Sequence, residues 1–184
     1  MICPKPSTRL RFRAPSLDDA EFVRELVMQP AWQRYISAHT LADKVAAQGY
    51  IEQRLLSHLQ REGMGLWVCE ALATGQPLGL CGLLRRSGLP GPDLGFALLP
   101  EFWGQGFGRE SAQQVLALGF ASLGLASVWA ICHPENRASQ RVLADLGFVP
   151  DGIYYAPEEQ TALLRWICER SARGRAASAA SNPG

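Results

Sequence analysis

DLGFALLPEFWGQGFGRE, residues 93–110, decides how the rest of the chain is read. The apolar run 93–99 has the length and composition of a buried strand, and Pro100 stops it. Three glycines follow at alternate positions, Gly104, Gly106 and Gly108, and a helix is predicted from Gly108. Ala112, Val115, Leu116, Gly119 and Leu123 share one of its faces, and Gly124 is its stop. Glycine lets the backbone turn tightly and approach a ligand with no Cβ in the way. The N–H groups of the first helical turn, with the helix dipole, then form an anion site that needs no lysine. A pyrophosphate suits it, with one charge-assisted contact from Arg109. A Walker A loop is excluded, because no Lys or Ser/Thr stands in place. A dinucleotide fingerprint fails because the sixth position from Gly104 is Arg109. A purely structural turn is the alternative reading of the glycines.

Working outward, TRLRFR (8–13) alternates as a strand with Leu10 and Phe12 on one face. Ser16 and Asp19 form a capping-box signature, Phe22, Val23, Leu26 and Val27 make a helical stripe, and Pro30 ends that helix. Thr40 with Asp43 repeats the capping signal before Val45, Ile51, Leu55 and Leu59, up to Gly63. GLWVCEA (65–71) and PLGLCGLLRR (77–86) flank the turn-like ATGQ as a hairpin. Beyond the glycine loop come a strand at SVWAIC (127–132), a short helix at NRASQRVLADLG (136–147) and a last strand at TALLRWIC (161–168). One more strand is placed near Gly152–Ala156. The order is a mixed α/β (α+β) single domain with helices on the faces of one sheet, not a doubly wound alternation. The domain is drawn over 8–168. Residues 169–184, rich in Ala, Ser and Gly, are read as a disordered tail.

The 184 residues fit one domain. A hydrophobic share of 47% against 19% charged is ordinary for a globular enzyme, and a net charge of +1 recommends neither nucleic acid nor an anionic membrane as partner. Neither a signal peptide nor a bilayer-spanning run is present. The five scattered cysteines (Cys3, Cys69, Cys81, Cys132, Cys168) show no C-x-x-C pair, and the four after Cys3 lie in apolar runs, as small buried hydrophobes do. Together these features favour a cytoplasmic protein. His58 and His133 lack ligand-spaced companions, so no metal is assigned.

A strand followed by x-x-x-G-x-G/A opening a long helix resembles the coenzyme A-binding motif of the GNAT N-acetyltransferases. The wording EFWGQGFGRE is similar to the ribosomal-protein N-terminal acetyltransferase (RimJ/RimL-like) branch. Trp103 departs from the Gln or Arg of the wider superfamily but suits that branch. CHPENRASQRVLADLGF (132–148) resembles the branch's second signature, N-x-x-S-x-x-V/L-x-x-x-G-F, and TRLRFRAPSLDDAEFVREL its first strand and helix. The resemblance spans about residues 8–168.

The resemblance implies a mostly antiparallel sheet with splayed central strands, acetyl-coenzyme A as co-substrate, and an amine acceptor, small molecule or peptide N-terminus, on a monomer or homodimer. It implies cofactor contacts from Leu98, Leu99, Gly104, Gln105, Gly106, Phe107, Gly108, Arg109, Asn136 and Ser139. A main-chain N–H near Leu98 or Leu99 would meet the thioester oxygen. Asn136 would bond the pantetheine or thioester, and Ser139 would protonate the leaving thiolate. Read as residues alone, Asn136 is equally a helix N-cap and Ser139 a hydroxyl bonded one turn back. Asp93 is the candidate base, with a loop-capping carboxylate as its alternative; Glu101 is the runner-up, and Glu158 and Glu159 are further candidates. Trp32, Tyr35 and Tyr154, with His39 and Tyr155, are candidates to line the acceptor site or simply to pack. A non-catalytic acyl-coenzyme A sensor of the same fold and a nucleotide-binding regulator are the competing classes.

Overall fold

The computed structural model describes residues 2–156 and 161–170; Glu158, Glu159 and the tail 171–184 lie outside the described residues. The strands are β1 (Leu10–Arg13), β2 (Leu66–Ala71), β3 (Pro77–Leu84), β4 (Asp93–Leu98), β5 (Ser127–Cys132), β6 (Val149–Tyr155) and β7 (Ala162–Glu169). They form one seven-stranded sheet in the order β1-β2-β3-β4-β5-β7-β6. Every neighbouring pair is antiparallel except β4 and β5, which run parallel. The central strands splay there, and this is the mixed, mostly antiparallel sheet expected of the sequence.

The helices are α1 (Ala20–Val27), α2 (Pro30–Tyr35), α3 (Lys44–Tyr50), α4 (Ser57–Glu62), α5 (Phe107–Ala117) and α6 (Arg137–Asp145); π-helical Ile51–Leu56 joins α3 to α4. Strand alternation divides the core between two faces. Val68 and Leu80 pack with Val23, Leu26, Trp32, Ile51 and Leu55. Trp67, Cys69 and Cys81 turn the other way, toward Ala112, Val115, Leu116 and Leu143. Helices therefore cover both faces, and β2 and β3 carry apolar residues on each.

Local structure departs from the sequence reading at several points. Pro30 does more than end α1: it opens α2 as its first helical residue, where a missing N–H costs nothing. Asp43, not Thr40, caps α3, its carboxylate accepting from Ala46 N at 2.8 Å. That start turns Val45 out to solvent, 74% exposed, and Ala47 takes the buried place. The strand placed near 152–156 begins earlier, at Val149. α5 starts at Phe107 rather than Gly108. β7 continues through Glu169, one residue past the boundary drawn at 168, and Arg170 N donates to Ala126 O at 3.0 Å. Among the described residues no helix is long and apolar enough to cross a membrane.

Candidate functional site

The two edges of β4 differ. On one side it pairs with β3 at all six residues, from Leu84↔Asp93 to Gly79↔Leu98. On the other, β5 is joined only at Asp93↔Trp129, next to a bond from Trp129 N to Pro92 O of 2.9 Å. Past that bridge the strands part. Leu99 N donates to Leu78 O at 2.9 Å. In an antiparallel ladder successive residues turn their main-chain groups to opposite edges. Leu99, Ala97 and Gly95 therefore face β3, and Leu98 and Phe96 face the gap. This corrects the expectation at Leu99, whose amide is committed to the sheet. It also brings in Phe96, which no sequence motif marks.

The glycine turn lies at the far end of the gap. Gly104 and Gly106 have φ of 71° and 82°, conformations that side chains rarely adopt. Gly106 is the N-cap of α5, and its carbonyl accepts the first bond, from Glu110 N at 3.0 Å. The N–H groups of Phe107, Gly108 and Arg109 are thus left without intrahelical acceptors. Gly108 needs no unusual φ; a Cβ there would touch Leu98 and Phe96 side chains at 3.7 to 3.9 Å, ordinary contact. Arg109 is exposed.

Three side chains hold this turn. Trp103 Nε1 donates to Leu98 O at 2.8 Å, folding the loop back on β4. Gln105 Nε2 donates to Glu101 O at 2.7 Å. From β1, Arg9 donates to Gln105 O at 3.0 Å, lies 4.3 Å over the Phe107 ring and is paired to Glu110. Burial pushes the Glu110 carboxyl up, but bonds from Ser7 and Arg9 outweigh it and hold the group below its usual value. Arg9 was missed in the sequence because 95 residues separate it from the loop it ties down.

The gap opens into a cleft of about 680 Å³, within the usual range for small-ligand sites. Asp93, Phe96, Asn136 and Ser139 line it, as do the aromatic candidates Trp32, Tyr35, Tyr154 and His39. Asp93 is 1% exposed. Its Oδ2 accepts from Arg86 Nε at 2.9 Å, and its Oδ1 has no partner among the described residues. Burial pushes its pKa up, and the Arg86 guanidinium only partly offsets that. Asn136 caps α6, Oδ1 accepting from Ser139 N at 3.1 Å, so its structural reading holds, and Nδ2 has no partner among the described residues. The Ser139 side chain makes no hydrogen bond to a carbonyl one turn back among the described residues. Tyr154 donates to Ser87 O at 2.9 Å, whereas Tyr155 is 66% exposed and outside the lining, as is Glu101.

Residues the sequence did not single out share the cleft: Tyr50, Arg54, Arg85, Arg86 and Cys132. Burial raises the Cys132 thiol to about 11, which disfavours the thiolate near pH 7. His58 also lines the cleft, and its Nδ1–H donates to Arg54 O at 2.7 Å, since a carbonyl can only accept. Among the described residues no group of three or more His, Cys, Asp or Glu is arranged to hold a metal ion.

Comparison with known proteins gives a consistent picture. The family described as acetyltransferase (GNAT) domain matches residues 9–149. The uncharacterized N-acetyltransferase YoaA of Bacillus subtilis (strain 168) is 26% identical over 151 residues, spanning 79% of this chain and 82% of the relative. An acetyltransferase from Agrobacterium tumefaciens str. C58 has the same fold, with a TM-score of 0.77 at 20% identity over 92% of this chain and 96% of that one. So does RimL, a ribosomal L7/L12 alpha-N-protein acetyltransferase in complex with coenzyme A, with a TM-score of 0.77 at 17% identity over 92% and 98%.

Proposed function

This chain belongs to the acetyltransferase (GNAT) domain family, and from that premise we propose that it moves the acetyl group of acetyl-coenzyme A onto a primary amine, by direct attack in a ternary complex. The observation that carries the reading is the parting of β4 and β5 after one bridge, with a left-handed glycine turn at one end of the gap and a lined cleft at the other. A Cβ at Gly104 would meet nothing within 4 Å, so the turn offers open space against unpaired amides, which suits a diphosphate.

The main-chain amides of Gly104–Arg109, including Gln105 and Phe107, hold that diphosphate, and Arg109 adds charge from the solvent side. The gap-facing N–H groups of Leu98 and Phe96 bond the pantetheine and the thioester oxygen. Asn136 Nδ2 and the Ser139 hydroxyl stand at the thiol end, where Ser139 supplies a proton. Acetyl-coenzyme A supplies the activated acyl carbon and a thiolate leaving group.

Asp93 takes the proton of the attacking amine. At about 3.3 Å per residue it stands about 10 Å along β4 from Phe96 and about 16 Å from Leu98. The chemistry therefore belongs at the Phe96 end, with water between amine and carboxylate. A carboxyl whose pKa is pushed up by burial is a better base near neutral pH than an exposed one. Cys132 is a poor candidate to carry the acetyl group, because burial raises its thiol pKa.

The test is direct. At a hundredfold excess over its dissociation constant, acetyl-coenzyme A stabilises the fold by about 2.7 kcal/mol in a thermal or denaturant titration, and thiol release follows across a panel of amines and peptides. Binding without turnover of any amine would favour the acyl-coenzyme A sensor. Stabilisation by ATP or NAD instead would favour the nucleotide regulator.

A further inference from the structure

We propose that the acceptor is an amine that also carries a carboxylate, held by Arg54, Arg85 and Arg86 on the wall of the cleft; this rests on the acetyl-transfer reading above. The three guanidinium groups come from two places, the π-helical turn after α3 and the residues just past β3, and all line one cavity. Asp93 is the only carboxylate among the described lining residues, and Arg86 already neutralises it at 2.9 Å. Arg85 is held only loosely, 3.7 Å from Glu62. Arg54 has no carboxylate within ion-pair distance among the described residues. The lining therefore holds two more positive than negative side chains.

Two further observations agree. The Tyr50 phenol, itself in the lining, is raised by burial and lowered by both Arg54 and Arg86, in keeping with two cations on the same wall. Trp32 lines the cleft at 5% exposure, and its indole N–H has no partner among the described residues. A buried donor without an acceptor is costly, and a ligand oxygen would remove that cost. The cleft thus offers an unpartnered indole donor and an excess of cations, with Asp93 Oδ1 as its buried acceptor left unpartnered among the described residues. Arg34 is not part of this set, because Glu135 pairs it at 2.7 Å.

The coenzyme's diphosphate does not account for these arginines. It belongs at the N-terminus of α5, beyond the opposite end of β4 from Asp93 and Arg86. A positive wall also lowers the pKa of an amine beside it, which favours the neutral, nucleophilic form. A polyamine would meet like charge; an amine with a carboxylate would meet its complement.

The experiment compares kcat/KM for free neutral amino acids against their carboxamides, for amidated peptides with Asp or Glu at the second position against their Asn or Gln isosteres, and for a polyamine. The first two arms separate a small amino acid from a peptide N-terminus. The expected result is a preference of about tenfold or more for acid over amide, as one charge-assisted hydrogen bond gives. Arg54→Glu, on an exposed helical face, inverts that ratio while the circular dichroism spectrum and melting curve stay native. Equal or better turnover of the amide or polyamine, or an unchanged ratio in R54E, overturns the proposal. Failure to turn over any amine would instead sink the acetyl-transfer reading. The N-acetylated acidic peptide, titrated calorimetrically with coenzyme A present, then decides the cleft without chemistry. Tighter binding than its amide, lost in R54E, supports the carboxylate site, and equal or absent binding overturns it.

Discussion

The two ends of β4 are built by different means. Past Leu98 the groups left free are main chain: two left-handed glycines and the unpaired amides of one helical turn. At Asp93 the site is side chains drawn from α2, the π-helical turn, the end of β3, α6 and β6. A main-chain site is encoded by a run of neighbours, so it survives as a motif. A side-chain site is encoded by the fold, and its members need not be near one another in sequence.

The sharpest way to break this contrast is Asp93→Asn. If Asp93 is the base, turnover falls by about 10²- to 10⁴-fold with acetyl-coenzyme A binding retained. Its acid titration carries a second signature. With its folded pKa above the ordinary 3.8, Asp93 gives stability that is present below that value and lost as pH rises through the folded pKa. Glu110, lowered from 4.5, gives stability present above that value and lost as pH falls through its folded pKa. Denaturant titrations across acid pH should therefore lose opposite slopes in Asp93→Asn and Glu110→Gln. Slopes of the same sign would mean that the two ends do not differ electrostatically.

Next in size is Gly106→Val. The left-handed φ penalises a β-branched side chain, and a Cβ would stand 3.4 Å from Arg9. The ligand-induced stabilisation of about 2.7 kcal/mol should disappear, whereas Gly108→Ala should keep most of it. A smaller change is expected for Ser139→Ala, about tenfold in kcat with the coenzyme's dissociation constant unchanged, by single-turnover kinetics. Smallest is Arg109→Ala: an exposed contact contributes less than about 1 kcal/mol, so coenzyme affinity measured by calorimetry should weaken only a few-fold.

How far the sequence could be read follows the same division. The strand at 93–98, the glycine turn and α5 were readable because apolar runs, breakers and N–H geometry act over a few residues. Asp93, Asn136 and Ser139 were singled out on their motifs, and the fold brings all three to one cleft. Leu99 was misread because only the register with β3 tells which edge its amide faces. Pro30 was misread because the ring that breaks a helix interior equally suits a first turn. Arg54 and Arg86 are 32 positions apart, and nothing in either neighbourhood announces that a hairpin carries them to one wall.

Trp103 leaves one practical consequence. Trp32 and Trp67 are buried and Trp129 and Trp166 half-buried, while Trp103 is 51% exposed with its indole tied to Leu98 O beside the glycine turn. A water-soluble quencher such as iodide will therefore silence chiefly this one fluorophore. Its recovery on adding coenzyme gives an optical titration of the loop with no label attached.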